Sequence, residues 1–246
     1  YISSRIWADT DGRDRCGSVV IQEQQIFASR EVAKVDARPG GYVATGGHGG
    51  IIGQIHYTGR PVLTYLPVYR HTYKSDVNLS LLPSKVEAVQ MGAGGIKRIE
   101  VVVKGSDGKL CDDAIPVVSI IKDGGYSGLE VGDDPGIEED LIASIDQKLK
   151  LGRLSGFIIE GLVPYGISTS EARSRLMTRA AMCGIPVTRV GRGATQGFAD
   201  ASEFQISGAN LTGTKARLLL MACLLKFGSL PAAIDPDNPT PAEQAA

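Results

Sequence analysis

The sequence predicts an α/β protein built on a parallel, doubly wound sheet. Three observations point there. Apolar, β-branched runs alternate with helix-length segments through the second half of the chain. Those runs lack the in–out alternation of half-buried strands, as expected of strands covered on both faces. The intervening segments carry helix start and stop signals. Strands separated by helices need crossover connections, hence a parallel sheet with helices over it.

Pro116 to Ile121 (PVVSII) reads as the first such strand. After a glycine-containing loop, Asp133-Asp134-Pro135 offers a cap and a first-turn proline. Ile137, Leu141, Ile145 and Leu149 then form one apolar stripe. Glu138 and Glu139 open this helix and Lys148 and Lys150 close it, matching its dipole, and Gly152 ends it. Phe157 to Glu160 is the next strand. Ser168-Thr169-Ser170-Glu171 has the capping-box form and opens a helix to Cys183, stopped by Gly184 and Pro186. Ile185 to Val190 is a further strand, and Thr214 to Phe227 a final helix ended by Gly228.

The first part is less regular. Gly17 to Ile21 and Ile99 to Val103 read as strands, and Gln54 to Tyr69 alternates weakly, as antiparallel strands do. Gly92-Ala93-Gly94-Gly95 is a tight turn: the third glycine of a dinucleotide-binding loop would fall on Lys97. Gly105 to Gly108 is another turn. Composition suggests domains at 1–112 and 113–233, with 234–246 as a flexible tail.

Net charge is −1, so no field is built for nucleic acid or anionic lipid. No apolar run has the length of a membrane span. The four cysteines are scattered without CxxC spacing, which argues against a disulfide framework, and Cys183 and Cys223 fall on apolar helix faces. His48, His56 and His71 lack ligand spacing, so no metal site is expected. Neither a phosphate-cradling GxxxxGK[ST] nor a GxSxG nucleophile motif occurs. In such sheets ligands lie beyond the carboxyl ends of the strands, here loops 122–135, 160–168 and 190–212.

Four stretches resemble the asparaginase/glutaminase family. Gly17 to Lys34 is similar to a family strand ending in Arg-Asp-Val-Thr-Lys, with Arg30-Glu31-Val32-Ala33-Lys34 in that place. Gly50-Ile51-Ile52-Gly53-Gln54-Ile55 resembles Gly-Pro-Leu-Gly-x-Val, and Tyr69-Arg70-His71-Thr72 resembles the Arg-x-His-Thr that follows. Ile206 to Leu220 resembles the family's C-terminal Ala-Ser-Gly-x-Leu-Asn-Pro-Gln-Lys-Ala-Arg-x-Leu-Leu. They occur in the family's order, between about Tyr1 and Ala233.

The resemblance implies a two-domain hydrolase of side-chain amides such as asparagine, a homodimer or homotetramer without metal or organic cofactor; the compartment expected, from a sequence that shows no signal peptide, is the cytoplasm. A threonine attacks the amide carbon and a lysine assists as base, the usual arrangement for a weak hydroxyl nucleophile. Such a lysine serves only where its surroundings lower its pKa toward neutrality. Lys34 matches that lysine, although read alone it is a solvated surface charge. The nucleophile region is expected upstream of Tyr1, in a truncated N-terminal domain. Ala44-Thr45-Gly46-Gly47 copies the nucleophile motif, but His48 replaces its second threonine and the segment follows Lys34, so a glycine-rich loop is the favoured reading. Where the family has Gly-x-Gly-Asn-Gly-Asn, this chain has Glu160-Gly161-Leu162-Val163-Pro164-Tyr165-Gly166, which leaves the preferred amide open and makes Tyr165 a candidate contact. Residues 86–103 look like an insertion. Two alternatives stay beside this reading: an inactive relative that binds an amino-acid-like ligand or serves as a structural subunit, and a hydrolase of cyclic or N-substituted amides.

Overall fold

The computed structural model describes residues 16–44, 50–67, 69, 77–122, 139–161, 170–191, 199 and 203–245. The chain forms two compact units, Tyr1–Asn78 and Leu79–Ala246.

The first unit contains β1 (Val19–Gln22), β2 (Gln25–Ala28), β3 (Val32–Lys34), β4 (Tyr42–Ala44), β5 (Ile51–Ile55) and β6 (Pro61–Leu63). Four of these make an antiparallel sheet in the order β1-β2-β5-β6, and β3 pairs with β4 as a separate hairpin. Cys16, Ile26, Ala28 and Ile52 form its small core. Backbone fit is as demanding as this core. Glu23 and Gln24 join β1 to β2 at φ values of 49° and 64°. A two-residue hairpin with both φ positive is normally built from Asn-Gly, because other side chains crowd the backbone there. Gly53 lies so close to β6 that a Cβ would fall 2.2 Å from the Val62 carbonyl oxygen.

The second unit opens with the hairpin β7 (Lys85–Gly92) and β8 (Gly95–Val102), turning where the glycines predict. Then come β9 (Val117–Lys122), α1 (Glu139–Leu151), β10 (Ser155–Gly161), α2 (Glu171–Met182), β11 (Val187–Gly191), β12 (Ile206–Ser207), α3 (Gly213–Phe227) and α4 (Pro241–Gln244). The sheet order is β12-β11-β10-β9 and every pairing is parallel. Crossovers of one hand between sequential neighbours put α1 and α2 on one face. There Leu141, Ile145 and Leu149 meet Leu176, Met177 and Ala180 over Phe157, Ile159 and Val187. On the opposite face Ala216, Leu220 and Leu224 of α3 cover Val118, Ile158 and Val190. The doubly wound α/β arrangement expected from the sequence is present.

Helix boundaries follow local chemistry. Ser170 caps α2 by accepting from the Arg173 N–H at 3.2 Å, so the cap lies at the second serine of the sequence box. Thr212 caps α3. Gly152, Gly184 and Gly228 follow α1, α2 and α3 at φ of 61°, 83° and 80°. All three abut β7, where an added Cβ would meet Gln90, Val89 and Glu87 in turn. The Ser229 N–H donates to the Glu87 carbonyl at 2.9 Å. The hairpin therefore closes the end of the sheet where the helices finish, and belongs to the same compact unit as the parallel strands.

Lys148, at the end of the α1 stripe, is buried. Its Nζ donates to the Val117 carbonyl at 2.8 Å and lies 4.8 Å over the Phe157 ring. Burial, with a smaller contribution from Arg217, lowers its pKa to about 8. The segment read as a flexible tail carries specific bonds. Thr240 and Glu243 form a capping box, the Ile234 N–H donates to Glu243 at 2.7 Å, and Asp237 accepts from Arg179 Nε at 2.7 Å.

Candidate functional site

In the first unit three of the family-like stretches converge on the turn Ser29–Glu31 that leads into β3. β5, from the Gly50–Ile55 stretch, pairs with β2 just before that turn. Gly50 lies against Glu31: a Cβ there would stand 2.7 Å from the Glu31 carbonyl oxygen and 2.7 Å from the Ala44 Cβ. The Arg30 guanidinium stacks 4.6 Å from the centre of the Tyr69 ring, which opens the Tyr69–Thr72 stretch. Burial lowers the pKa of Arg30, opposed by the neighbouring Glu31 and Tyr69.

Lys34 ends β3 and is exposed. Its Nζ donates to the carbonyls of Arg38 at 2.8 Å and Gly40 at 2.9 Å, and stands 5.2 Å from the centre of the Tyr42 ring. Both carbonyls belong to the loop that joins β3 to β4. That loop is shaped by Gly40 and Gly41 at φ of 91° and 72°, and by a forked Arg38–Asp36 ion pair. The Arg38 guanidinium holds the Asp36 carboxyl below its usual range. Two donors fixed on carbonyls leave one tetrahedral position of the amine: the third N–H of an ammonium, or the lone pair of the neutral base.

Thr45, Tyr165, His48, His71 and the segment 70–72 lie outside the described residues. Among the described residues no cluster of His, Cys, Asp and Glu could hold a metal. None of the described helices is long and apolar enough to cross a membrane.

In the second unit the carboxyl ends of β10 and of the edge strand β9 carry a charged pair. Glu160 on β10 and Lys122 on β9 are register partners, with Oε1 and Nζ 3.9 Å apart. The Glu160 side chain is 18% exposed and that of Lys122 70%. Gly213, the first residue of α3, admits the carboxylate: a Cβ there would stand 3.0 Å from Glu160 Oε2. An acid ending the otherwise apolar run FIIE was the available signal.

No protein-family model matches the sequence, and no curated protein does. Among solved structures, the crystal structure of a probable cytoplasmic L-asparaginase from Campylobacter jejuni matches with a TM-score of 0.59 and 17% sequence identity. The match covers 99% of this chain and 61% of that one. The fold is asparaginase-like. This chain thus spans about three-fifths of the length of the asparaginase it matches. The likeness extends over both compact units, so the asparaginase-like fold includes the irregular first unit as well as the parallel sheet.

Proposed function

We propose that this chain belongs to an asparaginase-like hydrolase of side-chain amides. The observation that carries the reading is a fold shared across 99% of the chain with a probable L-asparaginase. Three of the family-like stretches also pack on one turn beside Lys34. In this reaction a threonine hydroxyl bonds to the amide carbon, the nitrogen leaves as ammonia, and water releases the acid. Lys34 takes the hydroxyl proton as attack proceeds, through the amine position left by its two carbonyl contacts, and passes it to the departing nitrogen. The nucleophile comes from an upstream segment or, failing that, from Thr45. The working form is a homodimer or homotetramer in the cytoplasm, the compartment named for the matched asparaginase.

A second reading has its own observation. Lys34 is exposed and holds its own hairpin loop, as a purely structural staple would. On that reading the protein binds an amino-acid-like ligand, or serves as a structural subunit, without turnover. Ammonia release from asparagine, glutamine and a panel of other amides, assayed on the full natural polypeptide, separates the two. The hydrolase reading expects release from at least one amide and a loss of about a hundredfold or more in Lys34→Met. Undiminished release in Lys34→Met removes the lysine's role, and no release from any amide favours the second reading. Loss of release in Thr45→Ala would identify that hydroxyl as the nucleophile.

A further inference from the structure

We infer that the Gln22 and Glu23 side chains form a seat for the β3–β4 loop that sets the direction of the Lys34 amine. The seat rests on geometry; its effect on turnover rests on the hydrolase reading. Glu23 and Gln24 make the β1–β2 turn at φ of 49° and 64°, a conformation that costs free energy in residues other than glycine. What the turn achieves is visible at Gly40. A Cβ added there would stand 2.8 Å from Gln22 Nε2 and 3.1 Å from Glu23 Oε1. The end of β1 therefore sets an amide and a carboxylate against Gly40, which has no side chain to keep them off. Nε2 donates to Glu23 Oε1 at 3.2 Å, and this acceptor decides which end of the amide is nitrogen.

Gln22 Oε1 is buried and has no hydrogen-bond partner among the described residues. An apolar side chain would avoid that penalty, so retaining the amide lowers stability. A polar group kept on such terms, next to a strained turn, points to a role beyond folding. Lys34 supplies the role. Its Nζ donates to the carbonyls of Arg38 and Gly40, and these two acceptors are anchored differently. Arg38 is tied to Asp36 within the same loop, its backbone N–H donating to Asp36 Oδ1 at 3.0 Å. Gly40 instead leans on the β1–β2 turn of the four-stranded sheet. The loop's own ties fix its shape, and the seat fixes where that shape points the amine relative to the sheet. Gln22 and Glu23 are thus positioning residues, which act on the amine through the Gly40 carbonyl.

Reductive methylation of the Lys34 amine, followed by peptide mass spectrometry on the full natural polypeptide, tests the seat independently of turnover. Gln22→Leu withdraws the amide from Gly40 and removes the unpartnered oxygen. It should speed labelling of Lys34 about fivefold, the factor that one hydrogen bond gives, with the melting temperature unchanged or raised. Glu23→Gly relieves the positive φ but removes the acceptor, and should have the same effect. It serves as the second variant should Gln22→Leu fail to fold. Glu23→Gln keeps an acceptor oxygen and should restore slow labelling. In the ammonia assay Gln22→Leu should lower kcat about tenfold at constant KM, because the seat directs the amine and does not touch substrate. Wild-type labelling in both Gln22→Leu and Glu23→Gly, faster labelling only in step with a lowered melting temperature, or a raised KM at constant kcat overturns the inference. The expected labelling without ammonia release from any amide would sink the hydrolase reading and leave the seat standing. Ammonia release with both labelling and kcat unmoved by the variants would do the reverse.

Discussion

In the parallel unit a single strand reaches both apolar cores: Phe157 and Ile159 point to one, Ile158 to the other. Among its described residues the antiparallel unit has instead a four-residue buried cluster, with strands held by close backbone approaches at Gly50 and Gly53 and by a crowded turn at Glu23 and Gln24. One unit is stabilised mainly by area removed from water, the other by how exactly its main chain fits. Removing side-chain volume should therefore hurt the first unit, and adding it should hurt the second.

The largest effect is expected for Phe157→Ala, which empties a fully buried site between α1, α2 and the sheet. A loss of about 3–5 kcal/mol is expected by urea unfolding. Amide exchange should show the loss in residues 85–230 and leave β1 to β6 protected; equal loss in both units would break the contrast. Next comes Lys148. Its folded-state pKa, about 8, lies below the ordinary 10.5, so between those values the unfolded chain binds more protons. Stability should rise with pH across that window and fall as pH drops toward about 8, where the contribution is lost. Melting temperature against pH reads this directly, and Lys148→Met should flatten the slope.

Gly53→Ala should cost about 1–3 kcal/mol, because the new methyl meets a backbone carbonyl that cannot step aside. Gly156→Ala in the parallel unit should cost less, since its Cβ meets the end of the Leu220 side chain at 2.8 Å and its nearest backbone atom, the Pro186 carbonyl oxygen, stands farther off at 3.3 Å. A reversed order would refute the idea that backbone fit dominates the first unit. The smallest effect is a gain. Gln24→Gly relieves a positive φ and should add up to about 1 kcal/mol, measured as a raised melting temperature.

The parallel unit was legible because its helices announce themselves. The Leu141–Leu149 stripe, the capping serine at 170 and the glycines at 152, 184 and 228 are local signals, and each lies where its physics requires. In the first unit β3, β4 and β6 are three residues long, too short for a period to register. Their pairings depend on glycines whose need for space shows only once two strands meet. Lys34 could be matched to a motif by order, but its carbonyl contacts belong to a loop conformation that no spacing encodes. The pairing of Glu160 is illegible for a similar reason: it depends on Lys122 on the next strand and Gly213 on a helix far along the chain.

The β7–β8 hairpin also bears on how the protein is made. Its seat is completed by residues more than a hundred positions later, through the bond from the Ser229 N–H to the Glu87 carbonyl. A growing polypeptide leaving the ribosome cannot form this closure until α3 has emerged, and loops of that length are slow to shut. Until then Ala88 and Val89, both buried in the finished protein, lack most of their cover. The hairpin's apolar strand is thus a natural handle for chaperones, and a truncation before residue 228 should leave it exposed to self-association.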